Sequence, residues 1–69
     1  MNRMPVSSSD LAEVGYDHAT MTLEISFHKG GVYQYFDVPD SAYRELLAAE
    51  SKGKFFNANI KNSYRYVKT

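Results

Sequence analysis

The clearest periodicity in the chain lies between residues 21 and 28, where Met21, Leu23, Ile25 and Phe27 alternate with Thr22, Glu24, Ser26 and His28. Strict period two predicts a half-buried strand with one dry face. Before it, Ala12, Val14 and Tyr16 alternate within Leu11 to Tyr16, a second strand in which Gly15 marks a weak point or a bulge. Asp17 to Thr20 is a polar break. After the clearest strand come Lys29, Gly30 and Gly31, residues suited to a tight turn because glycine tolerates positive φ. Val32 to Val38 is again rich in β-formers, and Pro39, with no N–H for a ladder, ends it. These segments predict a three-stranded antiparallel meander.

The period then changes. Asp40 and Ser41 are helix-start residues, and Tyr43, Leu46, Leu47 and Glu50 recur at i, i+3, i+4 and i+7. Ser51 and Gly53 interrupt, and a shorter helix from Lys52 to about Ile60 puts Phe56 and Ile60 one turn apart. Tyr64 to Lys68 alternates again as a short final strand. The expected order is β-β-β-α-α-β, an α+β fold with two helices on one face of a small sheet. Residues 1–5 are expected as a flexible arm and residues 6–69 as a single domain.

One choice in this scheme controls the functional reading. With an even hairpin loop such as Lys29-Gly30, Phe27 pairs with Val32, Leu23 with Phe36 and Met21 with Val38. The dry face then collects Val32, Phe36 and Val38, and Tyr33 and Tyr35 point away from the helices beside Ser26 and Glu24. A three-residue loop with Gly31 as a left-handed bulge reverses the parity: both tyrosines go inward, and Asp37 goes with them. An unpaired buried carboxylate is costly, so the even register is the expected one, with Tyr33 and Tyr35 on the open sheet face.

Composition narrows the chemistry. The chain has 69 residues, ten of them aromatic and none cysteine. Disulfides, thiolate metal sites and cysteine nucleophiles are therefore out of reach. No apolar run approaches the roughly 18 residues of a membrane span, and the start lacks an apolar leader, so a cytoplasmic protein is expected. Net charge is zero but unevenly placed: residues 1–50 carry −5, and residues 51–69 carry +5 through Lys52, Lys54, Lys61, Arg65 and Lys68. Such a block either steers an anion or folds back to pair with the acidic body; a neutral total favours internal pairing. The run Ser51-Lys52-Gly53-Lys54 could hold an anion at helix amides or be only a helix break. Asp17 beside His18, the lone His28 and Ser7 to Ser9 form no catalytic arrangement, and no metal-ligand spacing or phosphate loop is present. No enzyme activity, cofactor, metal or membrane partner is expected.

Gly-Tyr-Asp (15–17), Leu-Glu-Ile-Ser-Phe (23–27) and Gly-Gly-Val-Tyr-Gln-Tyr-Phe-Asp-Val-Pro (30–39) belong to one recognisable pattern. Ser-Lys-Gly-Lys-Phe-Phe-Asn (51–57), Ile60 and Tyr-Arg-Tyr (64–66) complete it. The chain resembles the KTSC domain over roughly residues 6–67. That module stands at the C-terminus of some lysyl-tRNA synthetases and occurs alone as a small bacterial or phage protein. The resemblance implies a domain of unknown function, with RNA binding suggested by the synthetase attachment and no catalytic residues to carry over.

Three readings follow. In the first, the chain binds single-stranded RNA or tRNA by stacking bases on Tyr33 and Tyr35, extended by Tyr64 and Tyr66, with Lys52, Lys54, Lys61, Arg65 and Lys68 tracking phosphate. In the second, the exposed tyrosines serve a protein partner or a second copy of the chain. In the third, the four tyrosines are mainly core.

Overall fold

The computed structural model describes residues 1–69 as β1 (Arg3–Pro5), β2 (Leu11–Asp17), β3 (Thr22–Phe27), β4 (Val32–Tyr35), α1 (Asp40–Ala48), α2 (Lys52–Asn59) and β5 (Tyr66–Lys68). The strands form one antiparallel sheet in the spatial order β1-β2-β3-β4-β5. The expected α+β class holds, with one strand more than the pattern predicts. Arg3–Pro5, read from sequence as an arm, pairs with β2 in the register Arg3↔Gly15 to Pro5↔Glu13.

The core is the dry face of the meander joined to the helices. Leu11, Val14, Leu23 and Ile25 from the sheet meet Leu46 of α1, Phe56 of α2 and Ile60 at its C-terminus. Tyr43 and Leu47 pack at the margin of this cluster, as the helical stripe requires. Ser51 starts α2 by accepting a hydrogen bond at Oγ from the Lys54 amide, 3.3 Å away. This cap uses an amide of the segment considered above as an anion site, and Lys52 Nζ is spent on the Ala49 carbonyl at 3.2 Å.

The hairpin between β3 and β4 overturns the expected register. Ser26 pairs with Val32, Ile25 with Tyr33 and Leu23 with Tyr35. The turn closes with the Phe27 amide donating to the Gly31 carbonyl at 3.2 Å and the Gly30 amide donating to the Phe27 carbonyl at 2.9 Å. His28, Lys29 and Gly30 form the loop, and Gly30 and Gly31 take φ of 108° and 91°. Tyr33 and Tyr35 therefore share the helix-facing side with Leu23 and Ile25, and Tyr35 is 3% exposed.

The feared burial of Asp37 does not occur. β4 stops at Tyr35, and Asp37 adopts φ 58°, a left-handed conformation that turns the chain out of the sheet. Its carboxylate stays in water, and Val38 still reaches the core at 0% exposure. Phe36 does not enter the core but lies half-buried with the Arg65 guanidinium 5.5 Å from its ring centre. Met21, at φ 54°, is likewise turned out of the expected dry face and is 42% exposed.

The other sheet face, expected to hold the tyrosines, carries a polar ladder. Arg3 lies across Gly15, donating from Nε to Glu13 at 3.1 Å and from Nη1 to Glu24 at 3.0 Å; Gln34 donates to Glu24 at 2.9 Å. A side chain at position 15 would not fit, since a Cβ there would lie 2.7 Å from the Asn2 carbonyl.

Gly31→Ala is expected to destabilise the fold. A side chain at φ 91° is strained, and its Cβ would press to 3.3 Å on the Tyr33 ring and the Lys68 stem. The left-handed penalty alone is roughly 1–2 kcal/mol. A lower urea midpoint at unchanged slope is the expected result.

Candidate functional site

Because the parity places Tyr33 and Tyr35 on the helix side, β5 brings Tyr66 onto the same surface, paired with Tyr35, while Lys68 pairs with Tyr33. Phe27 joins them from the end of β3 and Phe56 from α2. Each ring packs on the next in a closed circuit: Phe27–Tyr33 at 5.5 Å, Tyr33–Tyr66 at 5.9 Å, Tyr66–Tyr35 at 5.4 Å, Tyr35–Phe56 at 5.3 Å and Phe56–Phe27 at 5.4 Å between centroids. Three of these contacts are edge-to-face and the Tyr35–Tyr66 pair is stacked, geometries that favour aromatic pairs beyond their buried area.

All five rings line a pocket of about 390 Å³, a volume within the range of small-ligand sites. Tyr35 and Phe56 are buried, and Tyr66 is 52% exposed. The remaining wall is polar: Lys29 and Gly30 from the hairpin, Asn57 from α2, Lys61 and Asn62 beyond it, and Asp10 from the loop before β2. Lys68 Nζ stands 6.0 Å from the Tyr33 ring centre at the edge of this surface.

Burial, with smaller contributions from the neighbouring Tyr66 and Tyr33, pushes the Tyr35 phenol up to about 12. The hydroxyl is thus protonated at neutral pH and available as donor or acceptor. The basic C-terminal segment is not neutralised by the acidic body. The ion pairs of the fold join Arg3 to Glu13 and Glu24 and Arg44 to Asp40, which the His18 ring also contacts; none uses Lys52, Lys54, Lys61, Arg65 or Lys68. Internal pairing, the reading favoured by the neutral total, is therefore corrected.

Comparison with known proteins places this arrangement in a family. The KTSC domain family matches residues 7–64. The chain belongs to the KTSC domain family. A solved KTSC domain protein from Yersinia pestis superposes with a TM-score of 0.96 at 43% identity, covering 99% of this chain and 96% of that one. A Tsukamurella paurometabola protein is 43% identical, with coverage of 91% of this chain and 94% of its own length. A lysine–tRNA ligase from Nostoc punctiforme is 41% identical over 58 residues, 84% of this chain but only 10% of the ligase.

Of the site residues expected from sequence, this KTSC domain brings Tyr33, Tyr35, Tyr66 and Lys61 to one groove, with Lys68 beside them. Lys52 is tied to Ala49, and Lys54 lies outside the groove on the exposed side of α2. Tyr64 is half-buried against the core, and Arg65 covers Phe36. Phe27, Phe56, Asn57, Asn62, Lys29 and Asp10 were not singled out as site residues. The dry-face alternation and the helical spacing already carried Phe27 and Phe56, but as core; nothing local marks Asp10.

Asp17 and His18 also find ordinary roles. Asp17 accepts from the Ala19 amide at 3.0 Å, closing the turn. His18 contacts Asp40 at 3.2 Å and stands edge-on to Tyr16, which stacks on Tyr43 at 4.6 Å. Tyr16 donates its hydroxyl to the Val38 carbonyl. This second aromatic group fastens the sheet to α1. No cluster of three or more His, Asp or Glu side chains stands ready to hold a metal, and no helix is long and apolar enough to cross a membrane.

The raised Tyr35 pKa has a defined sign. The fold binds this proton more tightly than the unfolded chain does, so the associated stability is intact below about pH 10 and is lost as pH rises toward about 12. The alkaline fall in urea midpoint is expected to be shallower for Tyr35→Phe than for the parent; equal slopes would place the phenol outside the core.

Proposed function

We propose that this KTSC domain is a non-catalytic binding module that takes single-stranded RNA into its aromatic groove. The observation that carries the reading is the five-ring circuit lining a pocket of about 390 Å³, with Lys29 and Lys61 in its wall and Lys68 at its edge. Bases offer π-faces to exposed tyrosines, and lysines at the margin attract the phosphates between them. The open sheet face supplies no such platform: its strand residues include no aromatic, and its charges are engaged in the Arg3–Glu24–Gln34 ladder. The likeness to a segment of lysine–tRNA ligases adds an RNA context to the geometry.

Labelled single-stranded RNA titrated at several salt concentrations tests this. With three lysines engaged, log affinity should fall with log salt at a slope of about −2. Tyr66→Ala, at a half-exposed position, is expected to cost about 1–3 kcal/mol of binding with little loss of stability. Binding indifferent to salt, or unchanged in Tyr66→Ala, contradicts the proposal.

A protein-interaction reading draws on β5 itself. It is an edge strand of three residues with Tyr66 and Val67 roughly half exposed, and an unpaired edge is a template for another strand. Self-association through that edge predicts a sedimentation coefficient that rises with concentration and returns to the monomer value in Lys68→Pro, which removes an amide that alternation in the ladder turns to the free edge. A monomer at every concentration removes the homodimer form.

A further inference from the structure

We infer that the groove prefers guanine within single-stranded RNA, with the Asp10 carboxylate accepting from the base's Watson–Crick edge; this rests on the RNA reading of the groove. The starting observation is a single residue of the wrong sign. Asp10 is the one acid in a wall that otherwise offers lysines and asparagines.

Asp10 is held in place by its surroundings. Its amide donates to Ser8 Oγ at 3.2 Å, and its carbonyl accepts from the His28 amide at 3.0 Å. The His28 ring in turn contacts the Ser8 carbonyl at 2.9 Å, tying this loop to the β3–β4 hairpin. Oδ2 sits where a side chain on Gly53 would be, 2.7 Å from the position of a Cβ, so the glycine leaves room for the acid. Although Lys29 and Lys61 line the same groove, the carboxylate forms no ion pair.

An ionised carboxylate only accepts, through two oxygens side by side. Guanine is the one common base with two adjacent donors on its pairing edge, the N1 imino and the N2 amino group. Cytosine and adenine set a ring acceptor beside their amino group, and uracil flanks its imino group with two carbonyls; both arrangements turn a lone pair toward the acid. Guanine's O6 and N7 also accept from lysine or amide donors, which Lys29, Lys61, Asn57 and Asn62 supply around the same pocket. The groove that holds the Tyr66 ring thus offers both kinds of group that guanine calls for, an acceptor for N1 and N2 and donors for O6 and N7.

The test uses equal-length oligouridines carrying one central guanine, inosine, adenine, cytosine or uracil, titrated against the full chain and Asp10→Asn. Guanine is expected to bind about tenfold more tightly than uracil. Inosine, which lacks the N2 amino group, should lose much of that advantage. Asp10→Asn should bring the guanine-to-uracil ratio close to one while oligouridine binds at least as well as before. If Asp10 served only to support the start of α2, the substitution would shift the melting temperature and leave the ratio intact, which overturns the inference. Equal affinity for all five oligonucleotides in the parent also overturns it, with no variant required, and leaves the RNA reading standing. No binding to any of them removes both.

Discussion

The hydrogen bond from the Phe27 amide to the Gly31 carbonyl fixes the parity of β4, and the rest of the site depends on that parity. A loop shorter or longer by one residue would move every side chain of Val32–Tyr35 to the opposite face. With the loop as it is, Tyr33 and Tyr35 stand beside Ile25 and Leu23 under the helices, and β5 delivers Tyr66 to the same side. The five-ring circuit follows from strand pairing plus one helix, α2, that contributes Phe56. Gly30 and Gly31 permit the turn because both hold φ values that other residues resist.

The two faces of the sheet divide the labour. One is closed by the polar ladder from Arg3 through Glu24 to Gln34, in which charges satisfy one another across four strands. The other buries aliphatic side chains at its centre and aromatic ones toward β5. A domain this small has little apolar surface to bury, so using the same rings for core and groove is economical: Tyr35 and Phe56 are inside, while Tyr66 continues the stack into solvent. Edge-strand position and exposure at Tyr66 thus coincide with the proposed contact.

The alternation of Leu23, Ile25 and Phe27, the Tyr43–Leu46–Leu47 stripe and the Ser51 start of α2 were all legible in the sequence, because each is a local pattern with one structural meaning. The segment Val32-Tyr33-Gln34-Tyr35-Phe36 is different. It offers apolar mass at both parities, and the penalty used to choose between them, burial of Asp37, disappears once the chain leaves the sheet in a left-handed conformation. That exit is a backbone event with no hydrophobic signature. β1 was missed for a related reason: Arg3–Pro5 has no dry face, and its pairing draws on Glu13 and Glu24, ten and twenty-one residues away. The groove was half visible. Tyr33, Tyr35, Tyr66 and Lys61 were named, but only the folded chain sets Asp10, Asn57 and Asn62 beside them. The five cations of residues 51–69 are contiguous in charge along the chain but separate in the fold, and none of them pairs with an acid.

Amide and aromatic chemical shifts recorded during titration with single-stranded RNA address the central claim most directly, because the two sheet faces carry different residues. The groove account predicts saturable shifts at Lys29, Tyr33, Tyr35, Phe56, Lys61 and Tyr66, with Arg3, Glu13, Glu24 and Gln34 unmoved. Shifts concentrated on the Arg3–Glu24–Gln34 face, with the five rings silent, would contradict it.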